Sequence, residues 1–126
     1  MNQDTILVVD DEPNIVRQLS FVLERAQLRV LVAFDGEEAL RVVREARPKV
    51  VLLDVMMPRM NGYEVCEAIK SDPDLAGTYV ALLTAKGQDS DRVKGLEAGA
   101  DEYIVKPFNP VEIAQRFKEL ADHDGF

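Results

Sequence analysis

Val50-Val51-Leu52-Leu53 runs directly into Asp54. An unbroken aliphatic run of this kind suits a strand buried on both faces of a parallel sheet. Such a strand has no packing use for a carboxylate, so Asp54 belongs at its carboxyl end, the edge where open α/β sheets bind ligands. Asp10-Asp11 follows a second apolar run, Thr5-Ile6-Leu7-Val8-Val9; Thr84 follows Tyr79-Val80-Ala81-Leu82-Leu83; Lys106 follows Tyr103-Ile104-Val105. If these runs are parallel strands, three carboxylates, a hydroxyl and an ammonium gather at one edge. Like charges withdrawn from water repel. Lys106 offsets one of them, and a hard divalent cation offsets two more; Mg²⁺ suits carboxylate, carbonyl and water ligands. Acids, metal, hydroxyl and ammonium together equip a site for phosphoryl transfer, where the protein positions the group and neutralises its equatorial oxygens. An aspartate can itself be the nucleophile, giving an aspartyl phosphate.

Taken singly, each residue has an ordinary reading. Asp10 or Asp11 could cap the helix that follows. Thr84 could be a turn hydroxyl, Lys106 a solvated strand-end charge, Tyr103 an amphipathic edge-strand residue, and Cys66 a packing residue without chemistry. The functional reading rests on the joint pattern at the ends of four strands.

The elements that must position these residues alternate. After Asp10-Asp11, Pro13 suits a first helical turn, and Ile15, Leu19, Val22, Leu23 and Ala26 recur at helical spacing. Val30–Phe34 reads as a second strand. Asp35 with Glu38 three residues later resembles a capping box opening a second helix. Pro58 and Asn61-Gly62 punctuate a loop after Asp54. A third helix carries Val65, Ala68 and Ile69 and ends at Asp72-Pro73. A fourth is expected from about Asp89 to Ala98, its thin apolar face made by Val93 and Leu96, with Gly99 as a left-handed cap. Asn109, Pro110 and Glu112 mark the start of a fifth, with Ile113, Phe117 and Leu120 inside. Five strand–helix alternations predict an α/β fold: a doubly wound, five-stranded parallel sheet with helices on both faces. In the flavodoxin-like strand order 2-1-3-4-5, the switch point falls between strands 1 and 3, beside the acids. One domain fills residues 1–126, with its core at about 5–121.

At 126 residues the chain suffices for one domain with a proper core and is too short for two. With 47% hydrophobic and 30% charged residues it has a globular composition, and its apolar runs are too short for a membrane span. The single cysteine, Cys66, fits a reducing cytoplasm. A net charge of -8 argues against direct nucleic-acid binding.

With these residues in view, the sequence resembles a response-regulator receiver domain over about residues 5 to 121. The matching stretches are Val8-Val9-Asp10-Asp11-Glu12-Pro13, Leu53-Asp54-Val55-Met56-Met57-Pro58 with Asn61-Gly62, Leu83-Thr84-Ala85, Gly99-Ala100-Asp101 and Lys106-Pro107-Phe108. The resemblance implies that Asp54 is the phosphoacceptor. It implies that Asp10 and Asp11 hold Mg²⁺ (with Mn²⁺ an acceptable substitute), Asp11 directly and Asp10 partly through water, together with Asp54 and the Met56 carbonyl. Thr84 and Lys106 would bind phosphoryl oxygens, Tyr103 would be the switch aromatic, and Lys106-Pro107 a cis peptide. The implied partners are a histidine kinase or phosphotransfer protein, docking on helix 1 and the strand 5–helix 5 loop. A downstream protein target would read a changed helix 4–strand 5–helix 5 surface, the chain being a monomer or a phosphorylation-linked dimer. Such a protein is a switch that phosphorylates and dephosphorylates itself rather than an enzyme with turnover. Bulky Met56 and charged Lys86, each two residues beyond a key position, predict slow self-dephosphorylation. His123 reads as part of a solvated tail.

Two rival classes fit less well. A haloacid-dehalogenase-like phosphatase needs a second acid two residues after the nucleophile, where Asp54 has Met56; Asp10 has Glu12 but no cap segment follows. A flavodoxin needs a hydroxyl- and glycine-rich phosphate loop after strand 1, where Asp10-Asp11-Glu12 would repel phosphate; nor does any strand lead into a dinucleotide-binding glycine motif. Because the sequence stops after the fifth helix, a stand-alone regulator acting by protein contact is expected, the alternative being a receiver cut from a longer protein.

Overall fold

The computed structural model describes residues 5–85 and 89–122, apart from the side chains of 89–92 and 121–122. The elements are β1 (Thr5–Val9), α1 (Pro13–Arg25), β2 (Arg29–Ala33), α2 (Gly36–Ala46), β3 (Val50–Asp54), α3 (Gly62–Ser71), β4 (Tyr79–Thr84), α4 (Asp89–Ala98), β5 (Glu102–Val105) and α5 (Pro110–Asp122). The strands form one sheet in the order β2-β1-β3-β4-β5, all neighbours parallel. This is the expected doubly wound fold. Lys86 and His123 lie outside the described residues.

Period-two alternation divides the apolar strands between two cores. Leu7, Val9, Val51, Leu53, Val80 and Leu82 pack with α2, α3 and the end of α4. Ile6, Val8, Val50, Leu52, Ala81 and Leu83 face the other way, onto α1 and α5. Every residue of β3 is buried, Asp54 included. A strand covered on both faces must be apolar throughout, which is why this run carries no alternation.

Some boundaries differ from the sequence reading. β2 starts and stops one residue early, because the Phe34 N–H leaves the ladder and donates to Glu38 Oε1 at 2.7 Å. Asp35 Oδ1 accepts from the Glu38 N–H at 2.8 Å, so the expected cap forms, but the Glu38 side chain bonds Phe34 rather than the Asp35 N–H and the reciprocal box is incomplete. In α1 it is Val16, not Ile15, that joins Leu19 and Leu23 in full burial. The expected inner face of α4 is wrong: Val93 and Leu96 are 52% and 70% exposed. The helix instead lays Gly95 and Ala98 against the sheet and α3. A side chain at Gly95 would meet Leu82 Cδ1 at 3.3 Å, so small residues let the helix sit close while its larger apolar side chains face solvent.

Candidate functional site

Strand register builds the site. Val9 pairs with Leu53, so Asp10 and Asp54 emerge on adjacent strands one step on. Thr84 pairs with Val105, and the Lys106 N–H donates to the Thr84 carbonyl at 2.6 Å, continuing the β4–β5 ladder into the site. Asp10 is held likewise by its N–H on the Ala33 carbonyl at 3.2 Å.

Asp10, Asp54 and Thr84 are buried at 0%, 3% and 3% exposure, whereas Asp11 is exposed. Asp10, Asp11 and Asp54 each bring a carboxylate oxygen to within 4.8 Å of the others. Lys106 Nζ donates to Asp54 Oδ1 at 3.1 Å and to Asp10 Oδ2 at 3.4 Å. Asp10 Oδ1 accepts from the Glu12 N–H at 2.9 Å, and Asp54 accepts from the backbone N–H of Met56. Residues from the ends of β1, β3 and β5, up to 96 positions apart, thus touch one another.

Burial, and then repulsion from Asp10, push the Asp54 carboxyl up to about 6, against the pull of Lys106. Burial also raises Asp10, with the Glu12 N–H and Lys106 opposing. For Lys106, burial disfavours the ammonium, but the hydrogen bond and attraction to Asp54, followed by Asp10, leave it above its ordinary value. Among the described residues, one ammonium faces three carboxylates, leaving uncompensated negative charge where oxygen ligands converge. That donor set fits a hard divalent cation.

Gly62 has a structural reason that its reading as loop punctuation missed. A Cβ there would lie 2.4 Å from the Asp54 carbonyl oxygen, and the Gly62 N–H donates to the Val55 carbonyl at 3.0 Å. Only glycine lets the loop fold back onto the strand end that carries Asp54. Asn61 then caps α3 in a complete capping box with Glu64, a signal legible as Asn-x-x-Glu but read only as a turn. Tyr103 is half-buried, packed against the α3 and α4 side of the sheet, and Met56 points its side chain outward at 72% exposure. The Lys106-Pro107 peptide is cis, as the resemblance implied.

The model of the response regulator receiver domain matches residues 6–118. The chain belongs to that family. Among curated relatives, it is 46% identical over 113 residues to the DNA-binding response regulator MtrA of Mycolicibacterium smegmatis, covering 90% of this chain and 48% of that protein. It is 44% identical over 115 residues to the alkaline phosphatase synthesis transcriptional regulatory protein PhoP of Bacillus subtilis, covering 91% and 47%. The chain therefore spans about half the length of these relatives. Among solved structures, a BeF3-activated DrrB receiver domain superposes with a TM-score of 0.84 at 40% identity, covering 96% of this chain and 99% of that one. The chemotaxis protein CheY4 of Vibrio cholerae gives a TM-score of 0.87 at 32% identity, covering 94% and 98%. The protein is thus a receiver domain of a response regulator in two-component signalling, and the acidic cluster lies where its own strand ends meet. Among the described residues, no helix is long and apolar enough to cross a membrane.

Proposed function

We propose that this receiver accepts a phosphoryl group on Asp54 and transmits the event to a protein partner through α4, β5 and α5. The observation that carries the reading is the single Lys106 ammonium shared by Asp54 and Asp10 beside an exposed third acid, Asp11. Asp10, Asp11, Asp54 and the Met56 carbonyl would hold Mg²⁺, which supplies charge neutralisation for the phosphoryl oxygens when bound. An Asp54 carboxylate oxygen attacks phosphorus, a P–O bond forms, and the bond from phosphorus to the donor breaks. With a phosphohistidine donor that is a P–N bond, and the leaving imidazole takes a proton. Lys106 already touches Asp54 and would pair with a phosphoryl oxygen. The Thr84 hydroxyl, at the adjacent strand end, would donate to another. As Thr84 moves in, Tyr103 would follow into the space it leaves.

A donor would dock on α1 and the β5–α5 loop. There a groove of about 420 Å³ is lined by Ile15, Gln18, Ala85, Lys106, Pro107 and Phe108, so one wall of it is the site's own ammonium. The partner would be a histidine kinase or phosphotransfer protein in the cytoplasm, and the chain would show no turnover on small phosphate esters. Direct nucleic-acid binding by these residues is not expected at a net charge of -8.

The test is intact-mass spectrometry after incubation with Mg²⁺ and acetyl phosphate. One added phosphoryl group, lost in Asp54→Ala, is the expected result; an unmodified wild-type chain, or label retained in Asp54→Ala, overturns the reading.

A further inference from the structure

The turn that follows α4, at the end of the helix away from Asp54, is held chiefly by one side chain from α3. Lys70, on the last turn of α3, is 18% exposed, and its Nζ donates to Asp101 Oδ2 at 2.7 Å, to the Thr78 carbonyl at 2.6 Å and to the Ala76 carbonyl at 3.3 Å. These partners come from the turn after α4 and from the loop leading into β4. Asp101 Oδ2 accepts a second bond, from the Val80 N–H at 2.8 Å, while the Asp101 N–H donates to the Val80 carbonyl at 2.9 Å. Asp101 is thereby tied to the start of β4 by both backbone and side chain.

The stem of Lys70 is part of the same fastening. Gly99 has φ +89, and a Cβ there would lie 3.2 Å from Lys70 Cγ and 3.3 Å from Lys70 Cβ. The turn is left-handed and pressed against the lysine, a combination that only glycine accepts without displacement. One turn earlier on α3, Cys66 Sγ lies 3.5 Å from the Ala98 carbonyl. The larger apolar residues of α4 contribute little here, since Val93 and Leu96 face solvent. Polar bonds and a close backbone approach therefore fix the end of α4, where an apolar stripe usually would.

We propose that Lys70 is a positioning residue: it pins the Gly99–Asp101 turn as the pivot about which α4 and β5 change their surface. A switch needs an element with two discrete arrangements, and an end held in place gives α4 a fixed point to move about. Without the pin, events at Thr84 would displace the helix diffusely and the change would not reach Leu96 and Tyr103 as one concerted shift. The inference rests on the phosphoacceptor reading, but Lys70 touches none of the reacting groups.

The test uses the full chain, ¹⁵N-labelled and titrated with beryllium fluoride and Mg²⁺, in wild type, Lys70→Met, Lys70→Arg and Asp101→Asn. Lys70→Met keeps the apolar stem against Gly99 and removes the donors. Its Val55 and Met56 amides should saturate at the wild-type mimic concentration, while the shifts at Leu96 and Tyr103 fall to about half or less. Lys70→Arg, which restores donors, should recover them. Full wild-type shifts at Leu96 and Tyr103 in Lys70→Met overturn the proposal; if that variant does not fold, the same reading in Asp101→Asn decides. If wild type binds no beryllium fluoride, the phosphoacceptor reading falls instead. The pin is then judged by hydrogen exchange: Lys70→Met or Asp101→Asn should speed exchange at Ala100 and Asp101 by about tenfold, leaving Val8 and Leu52 unchanged. Equal protection there sinks it.

Discussion

Lys106 Nζ lies 3.1 Å from Asp54 Oδ1 and 3.4 Å from Asp10 Oδ2, so one ammonium bridges two buried carboxylates from different strands. Removing one partner of a buried charge group leaves the others uncompensated, which costs more than the pair contributed. Lys106→Met should therefore lower stability in metal-free buffer by about 1–3 kcal/mol at pH 7. Added Mg²⁺ should recover part of that loss, because the cation supplies the missing positive charge. Urea unfolding with and without Mg²⁺ measures both. An unchanged midpoint in metal-free buffer would mean that the two acids take up a proton in place of the lysine.

Asp54→Asn should make the metal-free protein more stable at neutral pH. The folded-state value of Asp54 is about 6, above its ordinary 3.8, so folding disfavours its ionised form. A group raised in this way weakens the fold fully above about pH 6 and not at all below about pH 4. On its account, stability is lost as pH rises through that window. Asp10 shifts in the same direction. Lys106, raised above 10.5, holds its stabilising contribution throughout the window and loses it only as pH rises through its folded value. The gain from Asp54→Asn should be roughly 2–3 kcal/mol at pH 7.5 and vanish near pH 4. Urea midpoints of the two proteins across that range give the comparison, and a gain that grows on acidification would contradict the assigned cause.

What the sequence made legible follows from the range of the interactions concerned. Strand runs such as Val50–Leu53 are local and fully buried, so composition alone exposes them, and the strand ends followed at once. That Asp10, Asp54 and Lys106 lie together was legible because parallel strands deliver their carboxyl ends to one edge. Helix α4 misled because Val93 and Leu96 sit at helical spacing, while the face that packs is made of Gly95 and Ala98, which periodicity counts as nearly silent. Lys70 gave no signal either: its partners are six, eight and 31 residues away, two of them backbone carbonyls.

Asp11 differs from its two neighbours in exposure, and that gives it a separable phenotype. Burial penalises Asp10 and Asp54 in the free protein, whereas Asp11 stands in solvent. Asp11→Ala should leave the metal-free stability within about 0.5 kcal/mol of wild type. It should, however, abolish most of the rise in melting temperature that Mg²⁺ produces. A ligand at 100 times its dissociation constant adds about 2.7 kcal/mol, so the wild-type response is readily seen by calorimetry and reversed by a chelator. A full Mg²⁺ response in Asp11→Ala would take this residue out of the proposed Mg²⁺ ligand set.

Cys66 is fully buried, and burial pushes its thiol up to about 11. The thiolate is the reactive form, so the native protein should resist a disulfide reagent at pH 8 and react fully once unfolded in urea. Cys66→Ala should cost about 1 kcal/mol, the loss of one small buried group. Fast native labelling would show that the contact between α3 and the end of α4 opens readily.

If Asp54 is phosphorylated as proposed, Met56 is the residue expected to set how long the phosphoryl group lasts. Its backbone N–H is committed to Asp54, which fixes the residue beside that carboxylate, while its side chain is 72% exposed. An aspartyl phosphate is lost when water attacks phosphorus in line. A thioether neither donates a strong hydrogen bond nor accepts one well, so Met56 has little capacity to hold that water. An amide at the same position has two donors and an acceptor. Met56→Asn should therefore shorten the phosphoryl half-life by about tenfold, a change of some 1.4 kcal/mol in the barrier. Met56→Leu, apolar and of similar volume, should leave it near the wild-type value. Following loss of the phosphoryl mass after acetyl phosphate is removed reads all three proteins, and equal half-lives in Met56→Asn and wild type would take this side chain out of the control of hydrolysis.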